Sequence, residues 1–155
     1  GINTGEMMVG NMGSRRRFNY AAMGDAANLG SRLEGANKFY GTTILVGART
    51  RELCGDHFLF REVDTIRVVG RKTPETIFEP VCHSMQATAA QRAHCEHFSA
   101  ALSLYRQRKF TEALERFQLQ AAADPVARVY VERCRQYIAK PPADEWQGIT
   151  ELLSK

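Results

Sequence analysis

At 155 residues, 44% hydrophobic and 25% charged, the sequence has an ordinary globular composition, with room for one domain or for a small domain and an appendage. The net charge of +4 is evenly spread, Lys and Arg against Asp and Glu being 11 to 9 in residues 1–83 and 10 to 8 in residues 84–155, so neither half is basic enough for nucleic acid. No apolar run reaches the length of a membrane span, no signal peptide opens the chain, and four scattered cysteines without a C-x-x-C pair predict reduced thiols in the cytoplasm.

The chain starts at Gly1, inside an expected strand, which predicts a piece of a longer protein with any membrane anchor or sensor lying upstream. Residues Ile2 to Val9 alternate as a strand, Gly10 to Ser14 form a turn, and Phe18 to Met23 return. The Gly10-Asn11-Met12-Gly13 run lacks the Lys-Ser/Thr of a phosphate-binding loop and leads into a strand. Asp25, after Gly24, is the expected N-cap of a helix whose apolar stripe is Ala26, Leu29, Leu33 and Ala36, with Gly41 as its C-terminal cap. Thr42 to Val46 is β-branched and predicts a buried strand. Ala48 to Leu53 is a short helix ended by Gly55-Asp56. Phe58 to Val69 is a strand broken near Asp64, Gly70 to Pro74 a charged turn, and Thr76 to Cys82 the last strand of this part.

Ser84 to Gln91, polar and Ala-rich, reads as a linker or the start of a helix. From Arg92 to Ala139 the periodicity is helical: Phe98, Ala101, Leu102 and Tyr105 form one stripe, Phe110, Ala113, Leu114 and Phe117 a second, and Pro125 starts a third helix. The Phe-x-x-Ala-x-x-x-Phe phrase resembles a single tetratricopeptide-type repeat, which needs neighbours to bury its faces: the preceding domain, upstream repeats or a protein partner. The tail from Pro141 to Lys155, with Trp146 and Leu152-Leu153, is expected to dock back as a short helix. His94, Cys95 and His97 have spacing that could touch a metal, but with no further ligand nearby a helix surface is the better reading.

Within the first helix, Asn28 and Arg32 stand one turn apart on a face other than the apolar stripe. An amide beside a guanidinium suits a sugar carrying phosphate, because the planar fork of arginine matches phosphate oxygens. The same pair on a helix is otherwise a solvated face. The basic cluster Arg15–Arg17 precedes it.

The run MGDAANLGSRLEGANKFYGTTILV resembles the signature of the class III nucleotidyl cyclases, the adenylate and guanylate cyclase family. GINTGEMMVGNMGS is similar to the strand and turn before that signature, and FLFREVDTIRVVGRKTPETIFEPV to the strands that close the same domain. The resemblance implies an α+β fold: residues 1–83 as the C-terminal half of a ferredoxin-like cyclase domain, a linker at 84–91, and a helical hairpin appendage with tail at 92–155. It implies conversion of ATP, or alternatively GTP, to a 3′,5′-cyclic monophosphate and pyrophosphate. Asn28 would orient the ribose and Arg32 would stabilise charge on the α-phosphate. Arg16 matches in spacing a triphosphate-contacting arginine, or else only solubilises a hairpin. Arg71 and Lys72 fall near a phosphate-binding lysine of the family, or form a solvated turn.

Ala21 stands where many family members carry a purine-selecting Asp or Thr, and a methyl group cannot make that hydrogen bond. The surroundings favour adenylate. The family's two Mg²⁺ or Mn²⁺ ions are held by aspartates of the N-terminal half, outside this chain, and its sites form between two protomers. A homodimer or a second cyclase half is therefore implied as partner, and the isolated chain is expected to be inactive. The alternative is a non-catalytic cyclase-like module whose helical repeat recruits a protein.

Overall fold

The computed structural model describes residues 1–14, 17–68 and 73–152, with the side chains of residues 12–19 left aside. The element order is β1 (Met8–Ser14), β2 (Arg17–Met23), α1 (Asp25–Tyr40), β3 (Val46–Gly47), α2 (Ala48–Cys54), β4 (Phe58–Val68), β5 (Glu75–His83), α3 (Ala89–Arg106), α4 (Phe110–Gln118), α5 (Pro125–Ala139) and β6 (Thr150–Leu152). It is a mixed α/β arrangement. β1 and β2 form an antiparallel hairpin of their own, and the main sheet runs β3-β5-β4-β6.

Several local expectations shift. The hairpin turn is not at 10–14: Gly10 to Ser14 are strand, paired Gly10 with Ala21 through to Ser14 with Arg17. Of the stretch Ile2 to Val9, Ile2 instead makes a single parallel bridge to Val46. Asp25 is the first helical residue rather than the cap. Gly24, at φ 140°, takes the cap position that a side chain would strain, and a Cβ added there would fall 3.5 Å from the Met7 Cα. Asp25 then meets the positive end of the helix dipole from its first turn. Gly41 closes α1 in the left-handed region at φ 68°. Thr42 to Leu45 lie outside the ladder, so β3 is only two residues long.

β4 is not broken at Asp64 but bulged. A register shift between Glu62 and Asp64 lets Val63 and Asp64 both face inward, where strict alternation would turn one of them out. The linker residues 84–91 are ordered. Thr88 and Gln91 form a reciprocal capping box that starts α3 before Arg92. The tail is a strand, not a helix: β6 pairs in parallel with β4, Ile66 opposite Thr150 and Val68 opposite Leu152. Trp146 packs edge-on against Tyr105, Phe110 and Tyr137, and Arg108 donates to the carbonyls of Pro142, Ala143 and Asp144, which lead the tail toward the sheet.

One core joins these pieces. Leu29, Leu33, Ala36 and Tyr40 of α1, Val63, Ile66 and Val68 of β4, and Phe98, Tyr105, Phe117, Val126 and Tyr130 of α3–α5 are buried together. The helical layer thus finds its neighbours in the sheet. At the centre Phe117 stacks on Tyr130 (4.8 Å between centroids), and the Tyr130 hydroxyl donates to the Val63 carbonyl at 2.8 Å.

Burial raises the acid limits of this core. The Cys134 thiol is pushed from about 9.0 up to about 12, burial outweighing the pull of nearby Arg133. The Tyr40, Tyr105 and Tyr130 hydroxyls are likewise driven upward, chiefly by burial. These groups keep their protons to higher pH in the folded chain than in the unfolded one. Their contribution to stability is therefore complete below about pH 9 and declines as pH rises toward about 12. Urea midpoints are expected to fall steadily above about pH 9, and a flat profile would contradict this packing.

Candidate functional site

α1 turns its apolar stripe to the core and leaves the Asn28 and Arg32 face outside. Leu29 is 2% exposed and Leu33 0%, whereas Asn28 is exposed and Arg32 half-buried. Neither side chain has a hydrogen bond or ion pair to another described residue. An amide and a guanidinium therefore stand a turn apart with their donors unspent among the described residues. Ala21 lies on β2, half-buried and opposite Gly10. Arg16 and Arg71, with Lys72, lie outside the described residues.

A small cleft opens beside the start of α1, about 210 Å³, lined by Asn3, Thr4, Glu6, Asp25, Arg49 and Glu75 among others. Three carboxylates against one guanidinium make it a poor receptacle for a triphosphate. The Asn3 amide closes its inner side by donating to the Ala26 carbonyl at 3.0 Å. None of the clefts lined by described residues alone includes Arg32. Among the described residues, no group of three or more His, Cys, Asp or Glu is placed to hold a metal ion. No described helix is long and apolar enough to cross a membrane.

Two polar clusters escaped the sequence. The first is centred on Asp64, which is fully buried in β4. Its Oδ2 accepts from the Tyr40 hydroxyl at 2.5 Å, from Arg133 Nη1 at 2.7 Å and from Thr150 Oγ1 at 2.7 Å. Its Oδ1 accepts from the Thr65 amide at 2.7 Å. Burial works against the Arg133 charge, but Asp64 together with the Tyr130 and Tyr40 hydroxyls more than offsets it, and the guanidinium is held more firmly protonated than usual. Three elements besides β4 (α1, α5 and β6) thus converge on one carboxylate. The second cluster is centred on Arg61, which ion-pairs with Glu79 and Asp124 and lies 4.8 Å from the Phe98 ring. His94 Nε2 sits 3.1 Å from Asp124 Oδ2, so this histidine serves a buried ion cluster rather than a bare helix surface. Pattern alone could not reach either cluster, because both depend on side chains tens of residues apart.

No protein-family model matches the chain. It is 44% identical over 81 residues to adenylate cyclase 1 of Rhizobium meliloti (strain 1021), a match covering 52% of this chain and 12% of that protein. It is 32% identical over 145 residues to the terminal-differentiation specific adenylate cyclase of Dictyostelium discoideum, covering 89% of this chain and 7% of that protein. It is 35% identical over 82 residues to an adenylate cyclase of Anabaena cylindrica, 51% of this chain and 16% of that protein. Among solved structures it is similar to the adenylyl cyclase CyaB from P. aeruginosa, at 30% identity and a TM-score of 0.45, covering 53% of this chain and 41% of that one. The chain spans between 7% and 16% of the length of the relatives it matches. Their names support a cyclase domain here. A match over 89% of the chain necessarily runs through α3 to α5 as well as the sheet.

Proposed function

We propose that the chain is the C-terminal part of a class III adenylate cyclase unit, with a ferredoxin-like half built on β3–β5 and α1, and that it contributes Asn28 and Arg32 to the cyclisation of ATP. The observation that carries this reading is the Asn28/Arg32 pair, without a hydrogen-bonding or ionic partner among the described residues, on a helix whose apolar stripe is buried. Polar groups left unspent on a rigid element are available to a ligand that a second surface completes.

The chemistry divides accordingly. Two Mg²⁺ or Mn²⁺ ions, held by carboxylates outside this chain, would neutralise charge on the triphosphate. The Asn28 amide, donor and acceptor at once, holds the ribose so that its 3′-oxygen lines up with the α-phosphorus. Arg32 spreads its fork of donors over the α-phosphate oxygens, where negative charge concentrates as the bond to pyrophosphate lengthens. No covalent intermediate is needed.

The described residues supply no metal site, so the isolated chain should form no cyclic nucleotide from Mn²⁺ and ATP, while a protein that also carries the metal-binding segment should. Assaying that longer protein with ATP and GTP in parallel tests the substrate. Turnover of ATP several-fold faster than GTP supports the adenylate assignment, preferential use of GTP replaces it, and equal loss of both removes the enzyme reading. One residue favours a second reading, a non-catalytic module that recruits a protein partner: Ala21 puts a methyl group where base selection needs a hydrogen bond.

A further inference from the structure

We infer that α5 and β6 form the seat of α1, with Arg133 and Thr150 acting as positioning residues that hold Asn28 and Arg32 in place through Asp64 and Tyr40. This rests on the catalytic reading of Asn28 and Arg32 given above.

Tyr40 is the last residue of α1 and has no exposed surface. Its hydroxyl and the groups of Arg133 and Thr150 all end on the same oxygen of Asp64. Arg133 also lies across the rings of Phe39 and Tyr40, 5.5 and 5.6 Å from their centroids, so its guanidinium grips the helix end by its apolar faces as well. The start of α5 presses on the same end. A Cβ added to Gly41 would fall 2.6 Å from the Pro125 Cβ, which leaves no slack between the two elements. The far end of α1 is pinned separately by Asn3. An α-helix is a stiff rod rising 1.5 Å per residue, so movement at Tyr40 is carried along it to Arg32, roughly 12 Å away. Ångström-scale misplacement of a group that acts on the transition state lowers turnover while leaving ground-state binding nearly intact.

The test compares Arg133→Gln, Arg133→Lys and Thr150→Val with Phe117→Leu, a core change in α4 that meets the Asp64 network only through the Tyr130 ring. Hydrogen exchange of the α1 amides is read in the full chain, and kcat and KM for ATP in the longer protein. The expected result is exchange across residues 30–40 faster by about tenfold in Arg133→Gln and by less in Thr150→Val, with Phe117→Leu unchanged there. With it, kcat drops about tenfold or more at a KM within about twofold, and Arg133→Lys restores much of both. Thr150→Val, which removes one hydroxyl and keeps the side-chain shape, decides the matter should Arg133→Gln not fold. Unchanged α1 exchange in the folded variants, or a kcat loss equally large in Phe117→Leu, overturns the inference. Absence of turnover in the unmodified longer protein would sink the catalytic reading instead, and the exchange data would still decide whether α5 and β6 hold α1.

Discussion

Replacing Arg32 with alanine is expected to lower kcat for ATP about 10²–10³-fold, some 3–4 kcal/mol of transition-state stabilisation, with KM changed by no more than about threefold. The reason lies in what the side chain does in the resting fold, which is nothing: it is half-buried and has no ionic or hydrogen-bonding partner among the described residues. Its removal therefore leaves no orphaned group behind, and folding stability should change by less than about 0.5 kcal/mol. Arg32→Lys keeps the charge but loses the planar fork, and should recover only part of the rate. Steady-state kinetics in the longer protein, paired with thermal unfolding of each variant, separate the two effects. Full turnover in a folded Arg32→Ala protein would remove this residue from the reaction.

The reverse pattern is expected at Asp64. Asp64→Ala strips the acceptor from Tyr40, Arg133, Thr150 and the Thr65 amide at once, and leaves the Arg133 charge, 12% exposed, without its counter-ion. Breaking a buried pair from one side costs about 3–5 kcal/mol, against a total stability on the order of 5–15 kcal/mol for a domain. At about 2–4 °C per kcal/mol the melting temperature should fall by roughly 10 °C. A compensating pair, Asp64→Leu with Arg133→Met, removes both charges and should return the part of the loss due to the unpaired guanidinium, but not the part due to the hydrogen bonds that Tyr40, Thr150 and the Thr65 amide lose. If the single change shifted melting by only a degree or two, the carboxylate would not be the hub its contacts describe.

The two residues also mark what could and could not be read without coordinates. That Asn28 and Arg32 lie off the buried stripe of α1 was legible because it depends only on spacing along one helix. The helices α3 to α5 followed from Phe and Tyr at helical intervals. Asp64 was misread as a strand break for a physical reason: the bulge after Glu62 breaks the alternation on which inward and outward assignments depend. The tail was misread because β6 is only three residues long, and its strand character comes from the open edge of β4 rather than from its own composition. Likewise Thr42 to Leu45 have the right residue types for a strand but no ladder to join. The Arg61 cluster joins residues 61, 79, 94 and 124, separations over which no periodicity operates.

The parallel pairing of β6 with β4 bears on synthesis as well as on the finished fold. Thr150 lies 86 residues beyond Asp64. At about 5–20 residues per second, a ribosome leaves the carboxylate without its final donor for roughly 4–17 s after making it. During that interval the nascent chain holds an acid only partly satisfied and a bare strand edge beside it, so the emergence of β6, rather than any earlier step, completes the sheet.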